Sequence, residues 1–155
     1  MITADSSLTD RASANDIHCI LVGVENSPSA YKAFQYAVRL ALRENADLVI
    51  TSILEYDDLN IYQALNHRVM KDKRAALKNY LHACHEEAVR CGVKSVRLLG
   101  AEGDPAKRIL QDILPKTDAD LLVIGHRSRN PIVAYFGTTA SALVRRSPIS
   151  VMVVK

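Results

Sequence analysis

Leu121-Leu122-Val123-Ile124-Gly125-His126-Arg127-Ser128, followed after a loop by Gly137-Thr138-Thr139-Ala140-Ser141, decides the fold of this 155-residue chain. Four aliphatic residues in a row stop at a glycine, the pattern of a strand buried on both faces that ends in a tight turn. The loop that follows begins polar and basic, with Arg127, Ser128, Arg129, Asn130 and Pro131. Gly137 and two threonines then open a segment that reads as a helix over residues 138–146. Strand, glycine, loop, glycine, hydroxyls and helix together predict an anion cradle. A helix start offers N–H groups without intrahelical partners and a partial positive charge, and glycine lets a phosphate approach the backbone.

The charge distribution agrees. Residues 121–155 hold five basic side chains (Arg127, Arg129, Arg145, Arg146 and Lys155) and no Asp or Glu, whereas the whole chain carries a formal +3. The positive charge is therefore concentrated around the proposed cradle. Arg145 and Arg146 have two open readings, phosphate contact or complement to the dipole of their own helix.

Working outward, the same rhythm recurs. Residues 17–24 (IHCILVGV) read as a first buried strand, ending in Glu25-Asn26-Ser27-Pro28. There Ser27 is a helix cap and Pro28 sits at the favoured first helical position. Ala30, Phe34, Ala37, Val38 and Ala41 recur at helical spacing up to about Glu44. Residues 47–54 form a second strand, whose Thr51 and Ser52 suggest a face near a ligand or a neighbour. A helical pattern without proline or glycine then runs over about 58–91, long enough to expect a break, placed near Lys71-Asp72-Lys73-Arg74; Gly92 ends it. Residues 95–100 are a third strand. Asp104-Pro105 repeats the cap-and-proline device for a helix to about Lys116, with Ile109, Leu110, Ile113 and Leu114 inward. Pro148 separates the helix at 138–146 from a last strand at 149–154.

Strands alternating with helices specify a doubly wound α/β fold: a five-stranded parallel sheet with helices on both faces and right-handed crossovers. Ligands bind such folds beyond the carboxyl ends of the strands, where the strand order reverses. With the first strand central, Glu25-Asn26-Ser27 and Gly125-His126-Arg127 would line one cleft. Residues 17–155 are expected to form one domain, preceded by a disordered tail over residues 1–16 that is rich in Ser, Thr, Ala and Asp.

Several classes are disfavoured. No apolar run approaches the ~20 residues of a membrane helix, and no signal-peptide pattern opens the chain. Cys19, Cys84 and Cys91 form neither a disulfide framework nor a CxxC pair, so a cytoplasmic location is expected. The modest, localised charge argues against nucleic acid. No Gly-Lys dipeptide, dinucleotide fingerprint or Gly-x-Ser-x-Gly elbow is present. His82, Cys84, His85 and Glu86 lack a second ligand cluster and read as a solvated helix face rather than a metal site.

Residues 20–27 (ILVGVENS), 103–105 (GDP), 119–125 (ADLLVIG), Gly137-Thr138 and 147–154 (SPISVMVV), in this order, resemble the universal stress protein family. The resemblance implies an adenine nucleotide alpha hydrolase-like fold and a homodimer paired through the last strand at Ile149, Val151 and Val153. It also implies ATP or AMP binding, with Mg²⁺ if a triphosphate is bound. The family's nucleotide pattern is Gly, two residues, Gly, nine residues, Gly, then Ser or Thr. Here Gly125 matches the first glycine and Ser128 stands at the second. Eight residues separate Ser128 from Gly137, and Thr138 and Thr139 supply the hydroxyls. Glu25 stands where the family usually has Asp, and Asn26 where it usually has Gly. By resemblance, Glu25 and Ile53 lie near adenine, and Gly103 and Ile124 near ribose. Gly125, His126, Arg127, Ser128, Gly137, Thr138 and Thr139 then hold phosphates. The leading function is a nucleotide-binding sensor or regulator of the stress response. The alternatives are a dimeric interaction protein of the same fold that binds no nucleotide, and a slow ATP hydrolase.

Overall fold

The computed structural model describes residues 16–56, 59–126 and 137–155. Five strands, β1 (Cys19–Gly23), β2 (Asp47–Leu54), β3 (Val96–Glu102), β4 (Leu121–Gly125) and β5 (Ser150–Val154), form one sheet in the order β3-β2-β1-β4-β5. Every neighbouring pair is parallel. The chain therefore starts in the middle, winds out to β3, crosses to β4 and ends at β5. The two halves diverge from β1 and β4, which pair through Ile20–Leu121, Leu21–Leu122 and Val22–Val123.

Burial on both faces explains the aliphatic runs, because successive side chains on a strand point to opposite sides. Ile20, Val22, Leu48, Ile50, Leu121 and Val123 pack with Ala33, Phe34, Ala37, Leu81, Cys84 and Ala88. Those helical residues belong to α1 (Pro28–Glu44) and α3 (His67–Arg90). Cys19, Leu21, Val49, Leu122 and Ile124 face the other way, against Ala106, Ile109, Ile113, Ala140 and Leu143. These come from α4 (Pro105–Arg108) with its continuation, and from α5 (Thr138–Arg146).

The caps follow the sequence. Ser27 Oγ accepts from the Ala30 N–H at 3.2 Å, Pro28 opens α1, and Asn45 closes it in the left-handed region. Asp104 caps α4 by accepting from the Lys107 N–H at 2.7 Å. Beyond Arg108 the helix widens at Ile109–Ile113, with the Leu114 N–H reaching the Ile109 carbonyl, and tightens again at Leu114–Lys116. Pro115, which has no N–H to give, sits where the regular ladder would continue.

The third strand runs on to Glu102, two residues past its expected end, and the break in the long helical stretch moves further. The long helical stretch breaks at Asn66, not at 71–74: α2 (Ile61–Leu65) ends there and α3 begins at His67. Asn66 accepts from the Arg68 and Val69 N–H groups, and Asn60 caps α2 in the same way. The charged run 71–74 stays helical because Lys and Arg are good helix formers. Asp72, the one residue there able to compete for backbone N–H groups, makes no such bond among the described residues, whereas Asn66 does. The expected tail falls almost wholly outside the described residues. No helix among them is long and apolar enough to cross a membrane.

Candidate functional site

The carboxyl ends of β1, β2 and β4 open onto the crevice where the two halves of the sheet diverge. Gly125 closes β4 against the start of α1. A Cβ placed there would lie 2.6 Å from both the Ala30 nitrogen and the Ser29 carbonyl carbon. Those are main-chain atoms with no side-chain freedom to yield, so only glycine fits. The same approach brings the end of β4 beside the first turn of α1. His126 continues the ladder, its N–H donating to the Val154 carbonyl at 2.7 Å.

The loop after β1 is held from three sides. The Val24 N–H donates to the Thr51 carbonyl at 2.8 Å. The half-buried Glu25 accepts through its carboxylate from Ser27 Oγ at 3.0 Å, and through its carbonyl from the Tyr80 hydroxyl at 3.0 Å. Burial, more than any neighbouring charge, pushes the Tyr80 phenol up to about 12, so it remains a neutral donor. Ile53 is half-buried on the α4 and α5 face, and Ile124 is buried on that face. Two residues before Ile53, Thr51 is fully buried and its Oγ1 has no hydrogen-bond partner.

Gly103 turns the chain from β3 into α4 at a φ of 121°, a region side-chain-bearing residues rarely adopt. Its N–H donates to the Leu54 carbonyl at 2.9 Å. Arg108 lies across its open side: a Cβ on Gly103 would sit 3.1 Å from Arg108 Nε, which donates to the Glu102 carbonyl at 2.7 Å. At the rim, the Glu102 carboxylate accepts from Arg74 and from the Tyr56 hydroxyl. The Arg74 hydrogen bond, then that from Tyr56, hold its carboxyl below the usual range.

Gly137 precedes α5 and has no side chain to cap it, although the Ser141 N–H reaches the Gly137 carbonyl at 3.0 Å. Thr138 is exposed and Thr139 half-buried. Both line a groove of about 240 Å³ between α4 and α5, with Asp104, Ala106, Lys107, Ala142 and Arg146. The fold thus sets the expected residues in two adjoining places. Glu25, Ile53, Gly103, Ile124, Gly125 and His126 stand at or just beyond the strand ends, and Thr138 and Thr139 in the groove. Arg127 and Ser128 lie outside the described residues.

The groove also resolves the two arginines. Arg145 turns back on its own helix, Nε donating to the Ser141 carbonyl at 3.3 Å, whereas Arg146 lines the groove. Lys107 and Ala142 were not singled out from the sequence. The available signal was spacing, since residues 139, 142 and 146 share one helical face. His82 and Glu86 are exposed, whereas Cys84 is buried in the core, so only part of the expected solvated face is solvated. Among the described residues no three His, Cys, Asp or Glu side chains converge on a metal position.

The fold defines a doubly wound α/β protein whose strand order reverses between β1 and β4, the place where folds of this class bind ligands. The universal stress protein family model matches residues 17–155, and the chain belongs to that family. A universal stress protein of Staphylococcus saprophyticus is 28% identical over 137 residues, covering 88% of this chain and 82% of its own. The solved structure of UspA from Lactobacillus plantarum superposes with a TM-score of 0.76 at 24% identity, over 89% of this chain and 97% of that one. A universal stress protein solved in complex with cAMP superposes with a TM-score of 0.69 at 21% identity, over 91% and 99% of the two chains.

Proposed function

We propose that this protein binds an adenine nucleotide, ATP or AMP, at the carboxyl ends of β1, β2 and β4, and acts as a sensor or regulator in the stress response. The observation that carries the reading is the close approach of Gly125 to the Ser29–Ala30 backbone. It sets the end of β4 against the start of α1, and the first turn of α5, which follows β4 in the chain, has no side-chain cap. In this reading Glu25 meets the adenine edge, Ile53 flanks the ring, and Gly103 and Ile124 border the ribose. Gly125, His126, Arg127, Ser128, Gly137, Thr138 and Thr139 hold phosphates through N–H groups and side-chain donors, with Mg²⁺ accompanying a triphosphate. The relative crystallised with cAMP supports the ligand class.

A homodimer through β5 belongs to the same proposal. The Val154 carbonyl accepts from His126, so the Val154 backbone faces β4. By the two-residue alternation of a strand, the backbone groups of Val151 and Val153 point away from the sheet, and Ile149 continues that set.

A second reading, a dimer that binds no nucleotide, draws support from the same glycines. The open sides of Gly103 and Gly125 are occupied by Arg108 and by α1, so both glycines have a packing reason to exist.

Thermal unfolding of nucleotide-free protein with millimolar ATP, ADP or AMP and Mg²⁺ separates the two. Ligand at 100 times its Kd adds about 2.7 kcal/mol. For a domain of this size that is a midpoint rise on the order of 5–10 °C. Gly137→Val removes the rise while leaving the unliganded midpoint in place. A midpoint indifferent to all three nucleotides decides for the second reading.

A further inference from the structure

The groove between α4 and α5 has a charge pattern that the nucleotide reading leaves unused. Asp104 and Lys107 come from the first turn of α4, and Thr138, Thr139, Ala142 and Arg146 from one face of α5. Among the described residues the Lys107 ammonium and the Arg146 guanidinium have neither an ion pair nor a hydrogen-bond partner. Their sequence neighbours are engaged: Arg108 pairs with Asp112 at 2.7 Å and Arg145 bonds Ser141. Asp104 already spends one carboxylate oxygen on the Lys107 N–H, so α4 is capped from within the protein. The two cations outnumber that carboxylate in the groove.

Position along α5 decides what these cations can reach. Thr138 and Thr139 stand at the mouth, where the helix meets the strand ends. Arg146 is two turns further on, about 12 Å at 1.5 Å per residue. Helical side chains lean toward the N-terminus, and Arg146 shares the groove with Thr138 and Thr139. A phosphate attached directly to ribose stops at the mouth. Only a phosphate chain extends along the groove to Lys107 and Arg146.

The geometry points to the groove between α4 and α5 as the seat for the terminal phosphates of a nucleoside triphosphate, held by Lys107 and Arg146. This rests on the nucleotide-binding reading and deepens it, since it makes the two side chains a charge-counting device. They act strongly on ATP, weakly on AMP and hardly at all on cAMP, whose single phosphate carries one charge.

Affinities of nucleotide-free wild type, Lys107→Gln, Arg146→Gln and the double variant are measured calorimetrically for ATP with Mg²⁺, AMP, cAMP and inorganic tripolyphosphate. Both side chains are exposed, and circular dichroism checks that the fold is kept. Each single substitution is expected to weaken ATP and tripolyphosphate about fivefold, the scale of one exposed charge pair. AMP changes less and cAMP remains within twofold. The loss shrinks as salt is raised. Equal losses for ATP and cAMP, or ATP affinity unchanged in the double variant, overturn the assignment and leave nucleotide binding standing. So does a wild type that binds AMP or cAMP but neither ATP nor tripolyphosphate. A wild type that binds none of the four overturns both readings.

Discussion

Gly125→Ala probes the contact on which the site is built. A methyl group at this position would meet the Ala30 nitrogen and the Ser29 carbonyl carbon at 2.6 Å and the Ala30 Cα at 2.8 Å. Ordinary carbon contacts are about 3.5–4.0 Å, so β4 and the first turn of α1 must separate by roughly 1 Å. No rotamer change relieves the clash, because every atom involved is backbone. Overpacking of this kind costs about 1–3 kcal/mol, and here the upper part of that range applies. The movement also strains the caps around Ser27 and the buried pairing of β1 with β4. At about 2–4 °C per kcal/mol for a domain of this size, a cost of about 2–3 kcal/mol lowers the thermal midpoint by roughly 4–12 °C. The assay is urea and thermal denaturation followed by circular dichroism, without nucleotide, so that ligand loss does not enter. Gly23→Ala is the control: its nearest contact would be Ile124 Cγ2 at 3.5 Å, an ordinary distance with a side-chain neighbour. A Gly125→Ala protein within 0.5 kcal/mol of wild type, or no less stable than Gly23→Ala, would refute the claim that α1 dictates this glycine.

Three further outcomes follow from individual contacts. Thr51→Val keeps the shape and removes a fully buried hydroxyl that has no partner. Stability should rise by about 1 kcal/mol in denaturant melts, and a loss would mean that the hydroxyl bonds a buried water. Glu102 has a folded-state pKa below its ordinary 4.5, first through Arg74 and then through Tyr56. Its stabilising contribution is therefore present above pH 4.5 and lost as pH falls through the lower folded value. Glu102→Gln should flatten that part of the acid limb in a stability-versus-pH series, and an unchanged limb would assign the slope to other carboxylates. Val153→Pro removes an N–H that points away from the sheet, at an edge where proline is tolerated. Against the proposed β5 dimer it should give a folded monomer by light scattering, whereas a surviving dimer would place the interface elsewhere.

Much of the architecture is legible locally. Ser27-Pro28 and Asp104-Pro105 announce two helix starts, and both cap in the structure through the expected side-chain oxygens. The aliphatic runs at 20–22, 48–50 and 121–124 announce strands covered on both faces, and all are buried. The break in the long helical stretch was misplaced because the charged run at 71–74 looked more disruptive than a single Asn66. In the structure the Asn side chain, competing for backbone N–H groups, ends one helix and starts the next.

The site was legible only in outline. Gly125 stood out in the sequence as a strand terminus and a phosphate neighbour, while its contact with Ser29 and Ala30 joins residues 95 or more positions apart. Arg145 and Arg146 were indistinguishable on paper, and helical rotation separates them, one toward the Ser141 carbonyl and one into the groove. Lys107 carried no signal of its own, because its meaning depends on which helix packs beside α4.

Local pattern alone specifies five strands alternating with helices in a parallel sheet, since hydrophobic period, caps and turn residues act over a few positions and repeat with each strand–helix unit. The central place of β1 came from the family resemblance and is seen in the strand order. Only the tertiary structure decided which glycine is compelled by packing, which arginine faces the groove and which lysine joins it. Those properties arise where segments distant in sequence meet, and no local pattern encodes the surface a side chain will face once the sheet has closed between its helices.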